Sequence, residues 1–269
     1  MDSTPPYPSL ATPDVLDDFF VKGRNLWPDL DRLKDLRLER SLVPDKVLKF
    51  MRSTALNEYG VAHYLRSYLE SYGNDFKLRM WSAMWTAEEY VHYLVLRRML
   101  EALGEPLTET DFRGLEESNF FDRYKAYFDV ILVSPKIDPR MAQLIYGVLQ
   151  EYAAVIAYTA AAEQCNVLEM ETLFRRIARD EMRHCRFNQV ALEAMFQHCS
   201  DDERTLVWPQ FRAFWKDLRM PQEHIDYFGE LDMGTELYTS LWSGELRSRM
   251  VLYLTHYFRK FRTASRQTA

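Results

Sequence analysis

The segment over residues 141–162 constrains the fold of this chain more than any other. It contains a single carboxylate, Glu151, and no lysine, arginine or histidine among its apolar and small residues. A helix that is apolar on nearly every face lies inside a protein, so this segment predicts a buried helix. A buried carboxylate without a partner costs several kcal/mol or becomes neutral. Another group inside the fold must therefore compensate Glu151.

A second charge-poor segment carries its own acids. Between Arg79 and Arg97 the only ionisable carboxyl and imidazole groups belong to Glu88, Glu89 and His92, which lie among tryptophan and tyrosine residues. The segment predicts a second buried helix whose acids need compensation.

The spacing Glu-x-x-His occurs twice, at Glu89–His92 and at Glu181–His184. Residues three apart on a helix share a face, so a carboxylate oxygen and an imidazole nitrogen of such a pair can reach one metal ion. One such pair is usually a surface pair. Two of them, together with the isolated Glu151, match the arrangement in which four bundle helices hold two metal ions.

Helical periodicity extends over four long segments, residues 45–72, 75–103, 139–165 and 167–199, and Asn74 or Asp75 is available as an N-cap. With 9 glycines and 11 prolines in 269 residues, the chain has too few turn residues for many short strands. We predict an all-α four-helix bundle in one domain over 1–269, with its core at about 45–199. Shorter helices are expected at 14–42, 108–133, 203–218 and 233–262.

The bundle arrangement requires one more glutamate on the first long helix, where Glu58 and Glu70 compete. Glu58 lies in the middle of the segment beside small residues, whereas Glu70 lies near its end, where exposed acids are common. We select Glu58. Four glutamates then supply four negative charges, which two divalent ions would balance. Oxygen and imidazole donors suit iron or manganese better than thiolate sites would.

Composition excludes several classes of protein. The formal net charge of −6 argues against a dedicated nucleic-acid binder, since phosphate binding needs clustered lysine and arginine. The N-terminal residues lack the basic and apolar regions of a secretory signal, and the apolar runs are shorter than a membrane span requires. Three cysteines without C-x-x-C spacing are expected to be reduced. These features predict a cytoplasmic protein without a membrane span.

The residues around the two histidine motifs resemble a known family. Residues 85–92, Trp-Thr-Ala-Glu-Glu-Tyr-Val-His, are similar to the Trp-Thr-Ala-Glu-Glu-x-x-His segment of the soluble acyl-acyl-carrier-protein desaturases. Residues 180–184 resemble the Asp-Glu-x-Arg-His segment of that family, and residues 150–153 resemble its Gln-Glu-Arg-Ala. Met220, Pro221 and His224 are similar to a Met-Pro-x-His stretch further on. The resemblance covers roughly residues 45–230.

The resemblance implies a ferritin-like fold, two iron ions and a reaction with O2 that removes two hydrogens from an acyl chain on acyl carrier protein. A ferredoxin-type protein would donate the electrons, manganese is an alternative metal, and a homodimer is expected. Asp180 would orient a ligand histidine on the electron path, for which Trp27 is a loose match. The six implied metal ligands are Glu58, Glu89, His92, Glu151, Glu181 and His184.

Further residues are candidates for binding the substrate. Five could line an acyl channel beside the metal site, and helical packing explains them equally well: Trp85, Gly147, Ala154, Val155 and Tyr158. Two basic clusters could bind an acidic carrier protein, although a solvated helix face and a frayed tail account for them more simply. One is on the fourth long helix (Arg175, Arg176, Arg179, Arg183 and Arg186) and the other is near the C-terminus (Arg259, Lys260, Arg262 and Arg266).

The sequence also departs from the family. Plant members carry threonine where this chain has Ala154, and Val91 replaces an arginine that often precedes the first motif histidine. The reaction could therefore be a monooxygenation or N-oxygenation of a small or carrier-bound substrate. A metal-storage bundle, a ribonucleotide reductase small subunit and a helical scaffold without metal are more distant alternatives.

Overall fold

The structure is a computed structural model that describes residue 27 and residues 30–117, 136–217 and 245–264. Eight α-helices and two short 3-10 helices occur in these ranges, and no strand does. The helices are α1 (Asp45–Tyr59), α2 (Val61–Tyr72), α3 (Phe76–Ala102), α4 (Glu109–Glu117), α5 (Pro139–Gln164), α6 (Leu168–His198), α7 (Asp201–Asp217) and α8 (Glu245–Ala264).

The predicted all-α fold is confirmed as a ferritin-like bundle. α5 packs along α6, and α1 and α2 together pack along α3. The two pairs meet through contacts of α2 and α1 with α5 and of α3 with α6, while α7 and α8 pack on one side against α5. The assignment of residues 1–269 to one domain stays a prediction.

The first long helix is not continuous, contrary to the prediction over residues 45–72. α1 ends at Tyr59, Gly60 lies between the two helices with φ −73° and ψ −5°, and α2 begins at Val61. Glycine is about 1 kcal/mol less favourable than alanine inside a helix, so it is a natural place for the interruption. The break lies two residues after Glu58.

The N-terminal segment also differs from the prediction. Where a helix was expected over 14–42, the described part contains only the 3-10 helices Leu30–Asp35 and Arg40–Leu42, joined by residues 36–39 without regular secondary structure. Several sequence predictions lie outside the described residues, namely the helices at 14–26, 118–133 and 233–244, the stretch containing Met220, Pro221 and His224, and Arg266.

Buried ion pairs tie the starts of two bundle helices together. The side chain of Asp75 accepts a hydrogen bond from the backbone N–H of Leu78 and caps α3, and that of Asp138 accepts one from the backbone N–H of Arg140 and caps α5. The buried Arg140 guanidinium contacts both carboxylates, at 3.2 Å to Asp75 and 2.7 Å to Asp138. The register of α3 against α5 is therefore held at their N-terminal ends.

The core consists of two apolar clusters at opposite ends of the bundle. One combines α2, the N-terminal half of α5 and the C-terminal half of α6 with α7 and α8. The other combines α1, the C-terminal half of α3 and the N-terminal half of α6. Between them lies a layer of buried carboxylates and histidines. Among the described residues, α5 alone is long and apolar enough to cross a membrane, and 72% of its most apolar window is buried in this core.

Candidate metal centre

The six glutamates and histidines selected from the sequence meet in the middle of the bundle. Their ligand atoms form two groups, and within each group all atoms lie within 4.8 Å of one another. The first group comprises Glu58, Glu89, His92 and Glu181, and the second comprises Glu89, Glu151, Glu181 and His184. Glu89 and Glu181 belong to both, so the geometry distinguishes two shared carboxylates from two terminal ones, Glu58 and Glu151. All six side chains are buried.

Helical spacing explains four of these positions. Glu89 and His92 lie one turn apart on α3, and Glu181 and His184 do the same on α6, so each pair points into the space between the helices. Glu58 comes from the last turn of α1. Glu70, the rejected alternative, is largely exposed near the end of α2, where it pairs with Arg66 at 2.9 Å.

Both histidines direct Nδ1 towards the carboxylates. His92 Nδ1 lies 3.2 Å from Glu89 Oε2 and 3.2 Å from Glu181 Oε1. His184 Nδ1 lies 2.9 Å from Glu89 Oε1 and 3.3 Å from Glu181 Oε2, with Glu151 Oε2 at 3.5 Å. The shared carboxylates therefore face both imidazoles.

The other ring nitrogen of each histidine contacts a carboxylate outside the cluster. His92 Nε2 lies 3.3 Å from Asp180 Oδ2, and His184 Nε2 lies 2.7 Å from Glu88 Oε2. An ionised carboxylate only accepts hydrogen bonds, so each contact holds a ring proton on Nε2. In the neutral imidazole the lone pair is then on Nδ1 and faces the cluster, as a metal ligand requires.

The two outer carboxylates have different partners. Asp180 Oδ2 accepts a hydrogen bond from Trp27 Nε1 at 2.9 Å, and the guanidinium of Arg176 lies 4.0 Å above the Trp27 ring. Glu88 forms an ion pair with Arg183, whose guanidinium lies near the buried Trp81. Each histidine also meets the edge of one of these tryptophans, at 6.3 Å between the ring centroids of Trp27 and His92 and 5.8 Å for Trp81 and His184.

Without metal, the cluster holds protons. Burial raises the pKa of Glu58 and Glu151 well above the usual range, and the negative charges of Glu89 and Glu181 add to that shift.

The pKa values of the two imidazoles are also raised. Burial lowers the pKa of His92, but hydrogen bonds to Asp180, Glu181 and Glu89 raise it by more. The pKa of His184 is raised in the same way, chiefly by Glu89. Burial by itself would raise the pKa of Glu89, which the two histidines instead lower. In the metal-free protein the imidazolium groups thus provide the charge that compensates the buried acids.

The residues present fit a pair of metal ions. Glu89 Oε1 and Glu181 Oε1 are buried and accept no well-oriented hydrogen bond from a described residue, and each faces an imidazole Nδ1, that of His184 at 2.9 Å and that of His92 at 3.2 Å. A metal ion placed among these atoms would find carboxylate oxygen and imidazole nitrogen together. Four carboxylates and two imidazoles, with no thiolate, are donors typical of sites for iron or manganese. The three cysteines are free, and the buried Cys185 donates its thiol hydrogen to the Val148 carbonyl instead.

The residues predicted to line a channel have different environments. Trp85 is buried against Tyr68, and its Nε1 has no hydrogen bond to a described residue. Val155 is buried and Ala154 half-buried. A side chain on Gly147 would come within 2.7 Å of Asn188, so this glycine allows α5 and α6 to approach closely. Tyr158 donates a hydrogen bond to Glu58 Oε1 at 2.7 Å. The channel itself stays a prediction.

The basic residues of α6 divide between surface and interior. Arg175 and Arg179 are exposed, and Arg175 pairs with Glu171 at 2.8 Å. Arg183, which the sequence grouped with them, instead faces inward to Glu88. In the C-terminal cluster, Arg259 and Lys260 are exposed and Lys260 pairs with Glu193.

Sequence reasoning missed the pairing of Glu88 with Arg183 and His184. Glu88 was visible as a second acid in a charge-poor segment, four residues before a motif histidine. Its partners, however, lie 95 and 96 residues away in the chain.

A helical bundle with a buried layer of glutamates and histidines belongs to a class of proteins whose interior can hold metal ions. A family model described as fatty acid desaturase matches residues 24–235. The chain therefore belongs to the fatty acid desaturase family, which suggests an oxidoreductase that needs a substrate partner or an electron partner. No curated protein matches the chain.

Proposed function

We propose that this protein is an O2-dependent di-iron desaturase of the cytoplasm that acts on an acyl chain carried by acyl carrier protein. The observation that carries the proposal is the pair of overlapping ligand groups that share Glu89 and Glu181. Membership of the fatty acid desaturase family supports the reaction.

In this proposal Glu58, Glu89, His92, Glu151, Glu181 and His184 hold two iron ions, for which manganese is an alternative. The ions would supply O2 activation and the oxidising power to break an unactivated C–H bond. The chain's own contribution is positioning. Asp180 and Glu88 hold the imidazole rings with Nδ1 inward, and the apolar clusters on both sides keep water away from the ligands.

Electrons would enter on the His92 side. Trp27, Asp180 and His92 form a continuous series of contacts that begins at a partly exposed ring and ends at a candidate ligand. The exposed Arg175 and Arg179 lie on the same helix as Asp180, which supports an acidic partner there, either a ferredoxin-type donor or the carrier protein. As in the related desaturases, we expect a homodimer.

The acyl chain would lie beside the cluster on the face of α5 that carries Ala154 and Val155. Trp85 belongs to the apolar cluster on the other side of the carboxylate layer from Ala154. Alanine at position 154 provides no hydroxyl at that position. This favours no particular oxidation product, so the product must be measured.

The test has two stages. Anaerobic Fe(II) titration of the apoprotein should give two tightly bound ions per chain. The loaded protein is then mixed with acyl carrier proteins that bear chains of different length, with a reductant and O2, and the products are analysed by mass spectrometry. Loss of two hydrogens supports the desaturase, whereas gain of one oxygen identifies a monooxygenase. Absence of stoichiometric iron contradicts the proposal.

A further inference from the structure

Among the buried tyrosines, Tyr158 has a contact that helical packing does not explain. Its side chain is 1% exposed, and its hydroxyl donates a 2.7 Å hydrogen bond to Glu58 Oε1, 100 residues away in the chain. Glu58 lies on α1 and Tyr158 on α5, so the bond crosses the bundle between two helices that share few other contacts.

The ring of Tyr158 is held by aromatic neighbours from two other directions. Phe50 of α1 meets it edge-on with ring centroids 5.5 Å apart, and Phe174 of α6 lies 6.4 Å away. Both phenylalanines are fully buried. Because the ring is fixed before any metal binds, its hydroxyl can orient Glu58 at little cost in conformational entropy.

The terminal carboxylates differ in this respect. Glu151 contacts an imidazole, that of His184, whereas Glu58 receives a neutral hydroxyl donor from outside the ligand set. Glu58 also lies in the last turn of α1, two residues before Gly60, whereas Glu151 lies in the middle of α5. The carboxylate near a helix end is thus the one held by a tyrosine.

We propose that Tyr158 is a positioning residue that fixes the Glu58 carboxylate and thereby sets the affinity of one of the two metal positions. That position is the one formed by Glu58, Glu89, His92 and Glu181. The other position does not include Glu58, so we expect changes at Tyr158 to leave it unaffected. This inference rests on the proposed function insofar as the cluster binds two ions.

The test compares Tyr158→Phe with a matched control, Tyr72→Phe. Tyr72 is also 1% exposed, but its hydroxyl has no hydrogen bond to a described residue. The full-length apoproteins are titrated anaerobically with Co(II), whose visible absorption reports the coordination of each ion. Tyr158→Phe should weaken one of the two sites by about 10- to 100-fold and leave the other unchanged. Tyr72→Phe should leave both unchanged.

A double-mutant cycle with Glu58→Ala separates positioning from general packing. If Tyr158 acts through Glu58, adding Tyr158→Phe to Glu58→Ala has no further effect on the remaining site. A further loss in that background overturns the proposal, as does equal weakening by Tyr72→Phe.

The outcomes also separate this inference from the proposed function. Two unchanged sites in Tyr158→Phe, with two sites in the wild type, contradict this inference alone. A wild type that does not bind two ions contradicts the proposed function as well.

Discussion

The two halves of the candidate metal centre have the same kinds of contacts around their histidines but differ in the tryptophan at the outer end. In each half a histidine directs Nδ1 towards the ligand cluster, and its Nε2 contacts an outer carboxylate. Its ring also forms a T-shaped contact with a tryptophan, and an arginine guanidinium lies over that tryptophan. On the His92 side the tryptophan is Trp27, which is partly exposed and comes from the N-terminal segment. On the His184 side it is Trp81, which is buried within α3 and stacked on Phe187 at 3.7 Å.

The two halves differ in how far they extend towards the surface. On the His184 side the outer carboxylate pairs with Arg183 inside the bundle, so that half is closed. On the His92 side the outer carboxylate contacts an indole that is partly exposed, so that half is open to the surface. The two halves differ in exposure because different residues pack outside the two histidines. The candidate ligands of the two halves are nearly equivalent.

The largest expected effect is on metal binding, and it should differ between a carboxylate shared by both ligand groups and one that belongs to a single group. Glu181→Ala removes a ligand that belongs to both groups, so we expect loss of both tightly bound iron ions and of all activity. Glu151→Ala should remove tight binding of one iron only. Anaerobic Fe(II) titration measures both, and equal stoichiometry in the two variants would disprove the division into shared and terminal ligands.

The next largest effect is on the free energy of unfolding of the apoprotein when Arg183 or Trp27, the partners of the two outer carboxylates, is replaced. Arg183→Ala removes the guanidinium partner of the buried Glu88 and leaves it only the His184 imidazole, which should lower the free energy of unfolding by about 3 kcal/mol. Trp27→Phe removes one neutral donor from Asp180 and should cost about 1 kcal/mol. Urea unfolding of both variants tests the contrast. A cost for Trp27→Phe as large as that for Arg183→Ala would mean that the His92 side is no more open than the other.

The stability of the apoprotein and its affinity for metal should depend on pH in opposite directions. In the apoprotein the raised pKa of His92 and His184 contributes stability that is present below the ordinary imidazole pKa and is lost as pH rises through the raised value. The raised pKa of Glu58 and Glu151 acts in the same direction. Apoprotein thermal stability should therefore fall as the pH rises above the ordinary imidazole pKa of about 6.5.

Metal binding has the opposite dependence because the ligands must lose those protons. Fe(II) affinity should rise with pH, and loading should release protons, which calorimetry in buffers of different ionisation enthalpy measures. If the thermal stability of the metal-free protein instead rose with pH, His92 and His184 could not be the charged groups that we infer. The lowered pKa of Glu89 supplies no opposing trend there, since its contribution is lost only in acid.

The smallest expected effect is at the surface of the open half. Reversing the exposed charges with Arg175→Glu and Arg179→Glu should weaken binding of acyl carrier protein or an acidic electron donor by about fivefold, chiefly at low salt. A second variant, Arg259→Glu with Lys260→Glu, makes the same change of charge in the C-terminal cluster. Binding measured at two salt concentrations decides which cluster contacts the partner, and an unchanged affinity in both variants removes these clusters from the interface.

Local patterns in the sequence were sufficient for the long helices and for most of the candidate ligands. Glu89 with His92 and Glu181 with His184 follow from helical spacing, because backbone hydrogen bonds fix the angle between residues three apart. The absence of basic residues around Glu151 predicted its burial. The break at Gly60 was not predicted, because one glycine is often tolerated inside a helix when packing compensates.

The sequence by itself thus determined that this chain forms long helices with acids and histidines on their buried faces. Only the tertiary structure decided that Trp27 contacts Asp180, that Arg183 pairs with Glu88, and that Tyr158 donates to Glu58. These partners lie 153, 95 and 100 residues apart. Their meeting depends on how each helix is rotated and shifted against its neighbours, which the packing of whole side-chain surfaces sets and no local spacing encodes.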